Sequence, residues 1–226
     1  MIRRLALLAV LALTACSAQP DTTPAPTASA TPTVVPLTAA QATKAALRIT
    51  DLPKGWEAGV APDPIPTLGI PIKYDPVECQ LLRDPLRNPA SPPTTSIRGH
   101  YLLRADNPND DKVTTELIAS WPTSQLPLLR RITEALPHCA TYAGSIEDES
   151  YRLFARQLPV AGLRDGIVLR FGDPSDPKLT SGTWSAYVVR GSTVLALRAD
   201  SDTFSTDAEF ARFVTTAVAR LDGVVG

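Results

Sequence analysis

A lone cysteine, Cys16, stands between two stretches that cannot contribute to a folded core, and so it sets where a domain can begin. Before it lie Arg3, Arg4 and an unbroken apolar run over residues 5–13. That run suits the apolar region of a secretory signal and is too short to span a bilayer. After it, residues 17–36 are dominated by Ala, Pro, Thr and Ser, with no aromatic residue and no helical or strand period. Such a segment buries too little apolar surface to offset its ordering entropy, and its X-Pro steps favour extended polyproline geometry. Folding is therefore confined to residues 37–226, about 190 residues, enough for one domain with a real core.

The residues Leu13-Thr14-Ala15-Cys16 resemble the lipobox of bacterial lipoproteins, the alternative being a plain signal peptide. The resemblance implies cleavage before Cys16, acylation of its sulfur (diacylglycerol and palmitate-type chains) and lipid anchoring at the extracytoplasmic face of the cell membrane. Residues 1–15 are then the signal peptide and 16–36 a semi-stiff linker that can also carry O-linked sugars. Each buried acyl CH₂ contributes roughly 0.8 kcal/mol, so two or three chains hold a protein firmly. Leaving out Arg3 and Arg4, 20 basic residues face 23 acidic ones, a net charge of −3. That balance shows no basic stripe for nucleic acid.

Cys79 and Cys139 remain as an even pair in an exported chain, which reads as one disulfide; the rival reading is a metal or redox pair. Helices are marked by Thr38-Ala-Ala-Gln41, a capping-box pattern followed by Ala42, Ala45, Ala46 and Ile49 at helical spacing. Asp75-Pro76-Val77-Glu78 starts a short helix running to Arg83. A third begins near Thr123 or Ser124, buries Leu128, Leu129, Ile132, Ala135 and Leu136, and breaks at Pro137. The last opens at Thr206-Asp-Ala-Glu209, carries Phe210, Phe213, Val214, Ala217, Val218 and Leu221 inward, and stops at Gly223.

Strands alternate with period two in "IRGHYLLRA", "VTTELIASW", "YRLFARQL", "GIVLRFG", "TWSAYVVR" and "STVLALRA", which form three hairpins. The second of these places Val113, Leu117 and Trp121 on one face. The expectation is an α+β domain: about six mostly antiparallel strands, three to four helices against one face, and one disulfide.

Chemistry-bearing residues are sparse. His100 and His138 are isolated, and no GxSxG elbow, SxxK pair or metal-ligand spacing is present. Asp106, Asp110 and Asp111 read as a solvated hairpin tip. Arg98, Arg104, Arg190 and Arg198 fall at the polar phase of their strands and form either a positive or simply a solvated face. Trp56, Trp121 and Trp184 are either core residues or the lining of an apolar cleft.

The stretches "ITDLPKGW", "VAGLRDGIVLRF" and "YVVRGSTVLALRA", with Cys79 and Cys139, resemble actinobacterial lipoproteins and the extracellular sensor domain of PknH-like mycobacterial kinases. A looser resemblance is to mycobacterial lipoproteins with a PsbP-like fold. The sensor-domain resemblance implies an extracytoplasmic α+β domain with a ligand cleft. Two departures stand out: the family's sensor domain has two disulfides where this chain can make one, and the chain carries no kinase domain. The expected role is non-catalytic binding of a small molecule, lipid or protein partner in the envelope, without catalytic residue, metal or cofactor. The alternatives are an envelope-modifying enzyme and a structural or assembly factor.

Overall fold

The computed structural model describes residues 35–59, 72–87, 89–104, 111–147, 149–176, 182–200 and 203–225. Cys16, the signal region and the linker up to residue 34 lie outside them, as do Asp106 and Asp110. Nine strands form one sheet: β1 (Trp56–Gly59), β2 (Lys73–Asp75), β3 (Thr95–Leu103), β4 (Lys112–Ser120), β5 (Thr141–Ile146), β6 (Glu149–Leu158), β7 (Gly166–Gly172), β8 (Thr183–Arg190) and β9 (Thr193–Asp200). Their order is β1-β3-β4-β9-β8-β7-β6-β5-β2, and every neighbouring pair is antiparallel. The three expected hairpins are its body, and Gly191 turns the β8–β9 hairpin with φ +61°. The sheet has nine strands rather than about six. The additional ones are β1, β2 and β5; β1 and β2 span only four and three residues and sit at the two edges, where neither length nor alternation marks them.

The helices are α1 (Ala39–Ala45), α2 (Gln80–Arg83), α3 (Leu126–Ala135) and α4 (Asp207–Val225). Thr38 and Gln41 close the expected capping box on α1. That helix stops at Ala45 because Ala46 is extended, so Ile49 falls in a separate 3₁₀ turn and is exposed. A 3₁₀ turn at Val77–Cys79 leads into α2. The third helix starts two or three residues late, at Leu126, with a proline in its first turn. In α4 the cap is reciprocal but spread over one more residue: Glu209 N–H donates to Thr206 Oγ1 while Ser205 N–H donates to the Glu209 carboxylate. Gly223 does not stop α4, which runs on to Val225.

Helices cover both faces of the sheet, not one. Along β7 and β8 alternate residues go to opposite layers: Val168, Trp184, Ala186 and Val188 to one, Ile167, Leu169, Phe171, Tyr187 and Val189 to the other. The first layer is closed by α1 and α4 through Ala42, Ala45, Phe210, Phe213 and Leu221; the second by α2 and α3 through Leu82, Leu128 and Ile132. Central strands with two apolar faces require a cover on each side, because both faces otherwise stay wet. Removing one fully buried ring, as in Phe210→Ala, costs about 3–5 kcal/mol.

Cys79 and Cys139 form a disulfide, with Cα atoms 5.6 Å apart and 60 residues of sequence separation. Both are fully buried in the α2/α3 layer, where the bridge ties the turn after β2 to the 3₁₀ end of α3.

Candidate functional site

The chain leaves α1 abruptly. Arg220 of α4 donates to the carbonyls of Lys44 (2.8 Å) and Ala46 (3.3 Å) and lies 3.5 Å from Asp51, so a cation closes the carbonyl end of α1. Leu47 then meets Glu116, an acid in the middle of β4 that is 2 % exposed. Leu47 N–H donates to Glu116 Oε2 at 3.1 Å, and the Tyr101 hydroxyl lies 2.6 Å from the same oxygen and 3.0 Å from the Leu47 carbonyl oxygen. One hydroxyl proton cannot serve both acceptors fully. The two acceptors therefore share that proton, and the Glu116 pKa is shifted from its ordinary value. Burial raises it above the usual carboxylate range despite the hydrogen bonds from Tyr101 and Leu47. Burial, with the neighbouring Glu116 charge, likewise raises the Tyr101 phenol.

Gly99 makes this packing possible. It pairs with Glu116 across β3–β4, and a Cβ there would stand 2.5 Å from the Tyr101 hydroxyl oxygen. The tyrosine ring lies over the glycine and reaches the acid on the next strand.

Above this network runs a groove of about 720 Å³. Its walls are Ala40, Thr43 and Lys44 of α1, then Ala46, Leu47 and Arg48, with Ala58 of β1 and residues 97–101 of β3 opposite. Among the described residues, β1 pairs β3 only from His100 to Leu103. Five consecutive strand residues alternate between faces, so the groove bends around the edge of β3. It carries three cationic residues, Lys44, Arg48 and Arg98, and none of the described residues lining it is acidic. Thr43 Oγ1 donates back to Ala39, and His100 Nδ1 is shut from solvent without a partner among the described residues. The lining therefore offers charge and apolar surface, and no nucleophile paired with a base. A smaller hollow of about 240 Å³ lies near Arg83, Tyr151, Arg152 and Thr183, with Arg83 bonded to Thr183 at 2.8 Å and stacked 4.7 Å from the Phe171 ring.

The three tryptophans do not meet in one cleft. Trp56 stacks on Phe204 and Phe213 in the α1/α4 layer. Trp184 lies in the same layer, with Arg170 3.9 Å above its ring and its Nε1 donating to Asp207 at 2.8 Å. Trp121 is on the opposite face, in the α2/α3 layer, and donates to the Ser91 carbonyl. All three are buried and serve the core. His138 is exposed in the turn after α3, far in sequence from the groove strands. Arg104, just past β3, pairs with Glu57 and Asp111, and Arg190 of β8 with Asp222, so the charge of each is met by a carboxylate. No three His, Cys, Asp or Glu side chains converge among the described residues, and no described helix is long and apolar enough to cross a membrane.

Neither Glu116 nor the residues that line the groove were anticipated from sequence. The only signal for Glu116 is a charge at the same phase as Ile118 within an apolar strand.

No family model matches the chain, and no curated protein matches it. Among solved structures, it resembles the extracellular domain of PknH from Mycobacterium tuberculosis, with a TM-score of 0.59 and 12% identity over 84% of this chain and 98% of that one. An uncharacterized protein from Mycobacterium smegmatis aligns at a TM-score of 0.47 and 10% identity, covering 78% of this chain and 93% of its own. With its α+β layers and antiparallel sheet, the chain has the fold of the extracellular domain of PknH.

Proposed function

We propose that the chain is an extracytoplasmic, lipid-anchored binding protein that holds a ligand in the groove between α1 and the edge of β3, without catalysing a reaction on it. The observation that carries this reading is the groove itself, whose volume falls in the range of ligand pockets and whose lining holds no paired acid, base and nucleophile. The likeness of the fold to the extracellular domain of a kinase supports a sensing or carrying role outside the cytoplasm. The lipobox-like sequence supports attachment through Cys16.

The test is a thermal-shift screen of the chain released from its membrane against envelope lipids and cell-wall fragments, repeated on Ala40→Trp. A groove ligand raises the melting temperature with concentration, by mass action, in the parent and not in the variant. Turnover of any compound by the parent, lost in a groove variant, would replace binding with catalysis.

A further inference from the structure

Resting on that reading of the groove, we infer that its ligand is an anionic lipid, with the phosphate-bearing head held by Lys44, Arg48 and Arg98 and the acyl portion lying along Ala46, Leu47 and Ile97. The chain beyond the leader is net negative, so three cationic residues without a lining acid are a local feature and not the general charge of the surface. Arg98 also lies in the field of Asp84 beyond α2, and the Asp51 carboxylate accepts from the Arg48 backbone N–H, but neither acid lines the groove; a cationic lining of this kind complements a ligand that brings its own negative charge. A free phosphate would use that half of the groove and leave Ala46, Leu47 and Ile97 without a partner. A neutral apolar molecule would do the reverse. An amphiphile with a head of this sign uses both.

The tether agrees with a membrane source. Residues 17–36 separate Cys16 from α1, and a chain of that length reaches at most about 70 Å, which keeps the groove near the headgroups when Cys16 carries the anchor. At that distance the groove samples the lipids of the membrane to which the chain is attached.

The experiment is calorimetric titration of the full chain in phosphatidylcholine nanodiscs, with empty discs subtracted, using dihexanoyl-phosphatidylglycerol, dihexanoyl-phosphatidylcholine and inorganic phosphate below their aggregation concentrations. The anionic lipid should saturate and bind at least about tenfold more tightly than either of the others. The Lys44→Glu, Arg48→Glu, Arg98→Glu triple variant should lose at least about tenfold, the matching Gln triple somewhat less, and Arg131→Glu on α3 nothing. All these positions are exposed, so melting temperature checks that the variants fold. Equal binding of the zwitterionic lipid, or of phosphate alone, overturns the inference; Ala40→Trp still abolishing that binding keeps the groove as the site. If no probe saturates while Ala40→Trp removes a stabilisation found in the screen, the groove takes something else, such as an extended polypeptide along β3, and the inference falls. If Ala40→Trp leaves every binding event unchanged, the function proposed for the groove falls with it.

Discussion

Replacing both Cys79 and Cys139 by Ala removes the one covalent constraint between the β2–α2 region and the end of α3. A cross-link closing 60 residues lowers the entropy of the unfolded chain enough to contribute about 4 kcal/mol in the chain-entropy description. For a domain near 190 residues each kcal/mol moves the melting temperature by about 2–4 °C, so the variant should melt roughly 8–16 °C lower. Set against a typical total stability of about 5–15 kcal/mol, this is a large share. The effect should also be local. Both sulfurs lie in the α2/α3 layer, whereas α1, α4 and the Glu116 network lie on the opposite face. Calorimetry gives the shift, and amide hydrogen exchange shows where protection is lost. Exchange should rise first in β2, α2 and the end of α3 while Leu47 and the first turns of α4 stay protected. A shift under about 4 °C, or protection lost first in α1 and α4, would refute the argument that the bridge chiefly restrains the unfolded chain around that layer.

Glu116→Gln tests the buried acid. Its folded pKa lies above the unfolded value, so its contribution to stability is complete below the ordinary carboxylate range near 4.3 and is lost as pH rises through the raised value. Urea unfolding between about pH 4.5 and pH 8 should show the parent losing stability relative to the Gln variant as pH rises; parallel curves would remove the claim. Tyr101→Phe should cost about 1–3 kcal/mol, because it strips a donor from the Glu116 carboxylate and the Leu47 carbonyl, measurable as a lower urea midpoint at unchanged slope. Gly99→Ala should cost about 1–3 kcal/mol and shift the Tyr101 ring resonances, since the new methyl occupies the space of the hydroxyl; unshifted resonances would contradict the packing. Lipid analysis of the chain purified from its membrane, beside Cys16→Ala, should show acyl mass in the parent alone.

The elements that sequence made legible are those whose signals are local. The capping residues Thr38, Gln41, Thr206 and Glu209 satisfy helix ends within a few residues of themselves. The alternating β3–β4, β6–β7 and β8–β9 hairpins each carry their turn between them. What stayed hidden depends on partners far along the chain. In β4 the apolar set Val113, Leu117 and Trp121 marks one face, yet the opposite face of Thr114, Glu116, Ile118 and Ser120 is the more deeply buried. Glu116 and Ser120 qualify for the interior because Leu47, Tyr101 and Thr193 come to them from elsewhere, as Ser120 does by meeting Thr193 at 2.9 Å and the Leu37 N–H at 3.0 Å. The second helical layer was missed for a related reason. Continuous apolar runs such as 167–169 are two-faced, and they show that a cover is needed on each side without naming which helix supplies it. The groove draws its walls from α1, β1 and β3, so no single segment carries its pattern.

The placement of β1 and β2 at opposite margins of the sheet governs how the chain can come together as it is made. Their neighbours, β3 and β5, lie downstream, and α1 has its apolar face against α4, the last helix. A chain emerging amino end first therefore presents α1 and its first two strands before any surface exists to receive them. The early strands settle on β3 and β5, and Arg220 of α4 closes the end of α1 from far along the sequence. Pairings of such long span form slowly, so the apolar face of α1 stays uncovered until α4 is present to receive it.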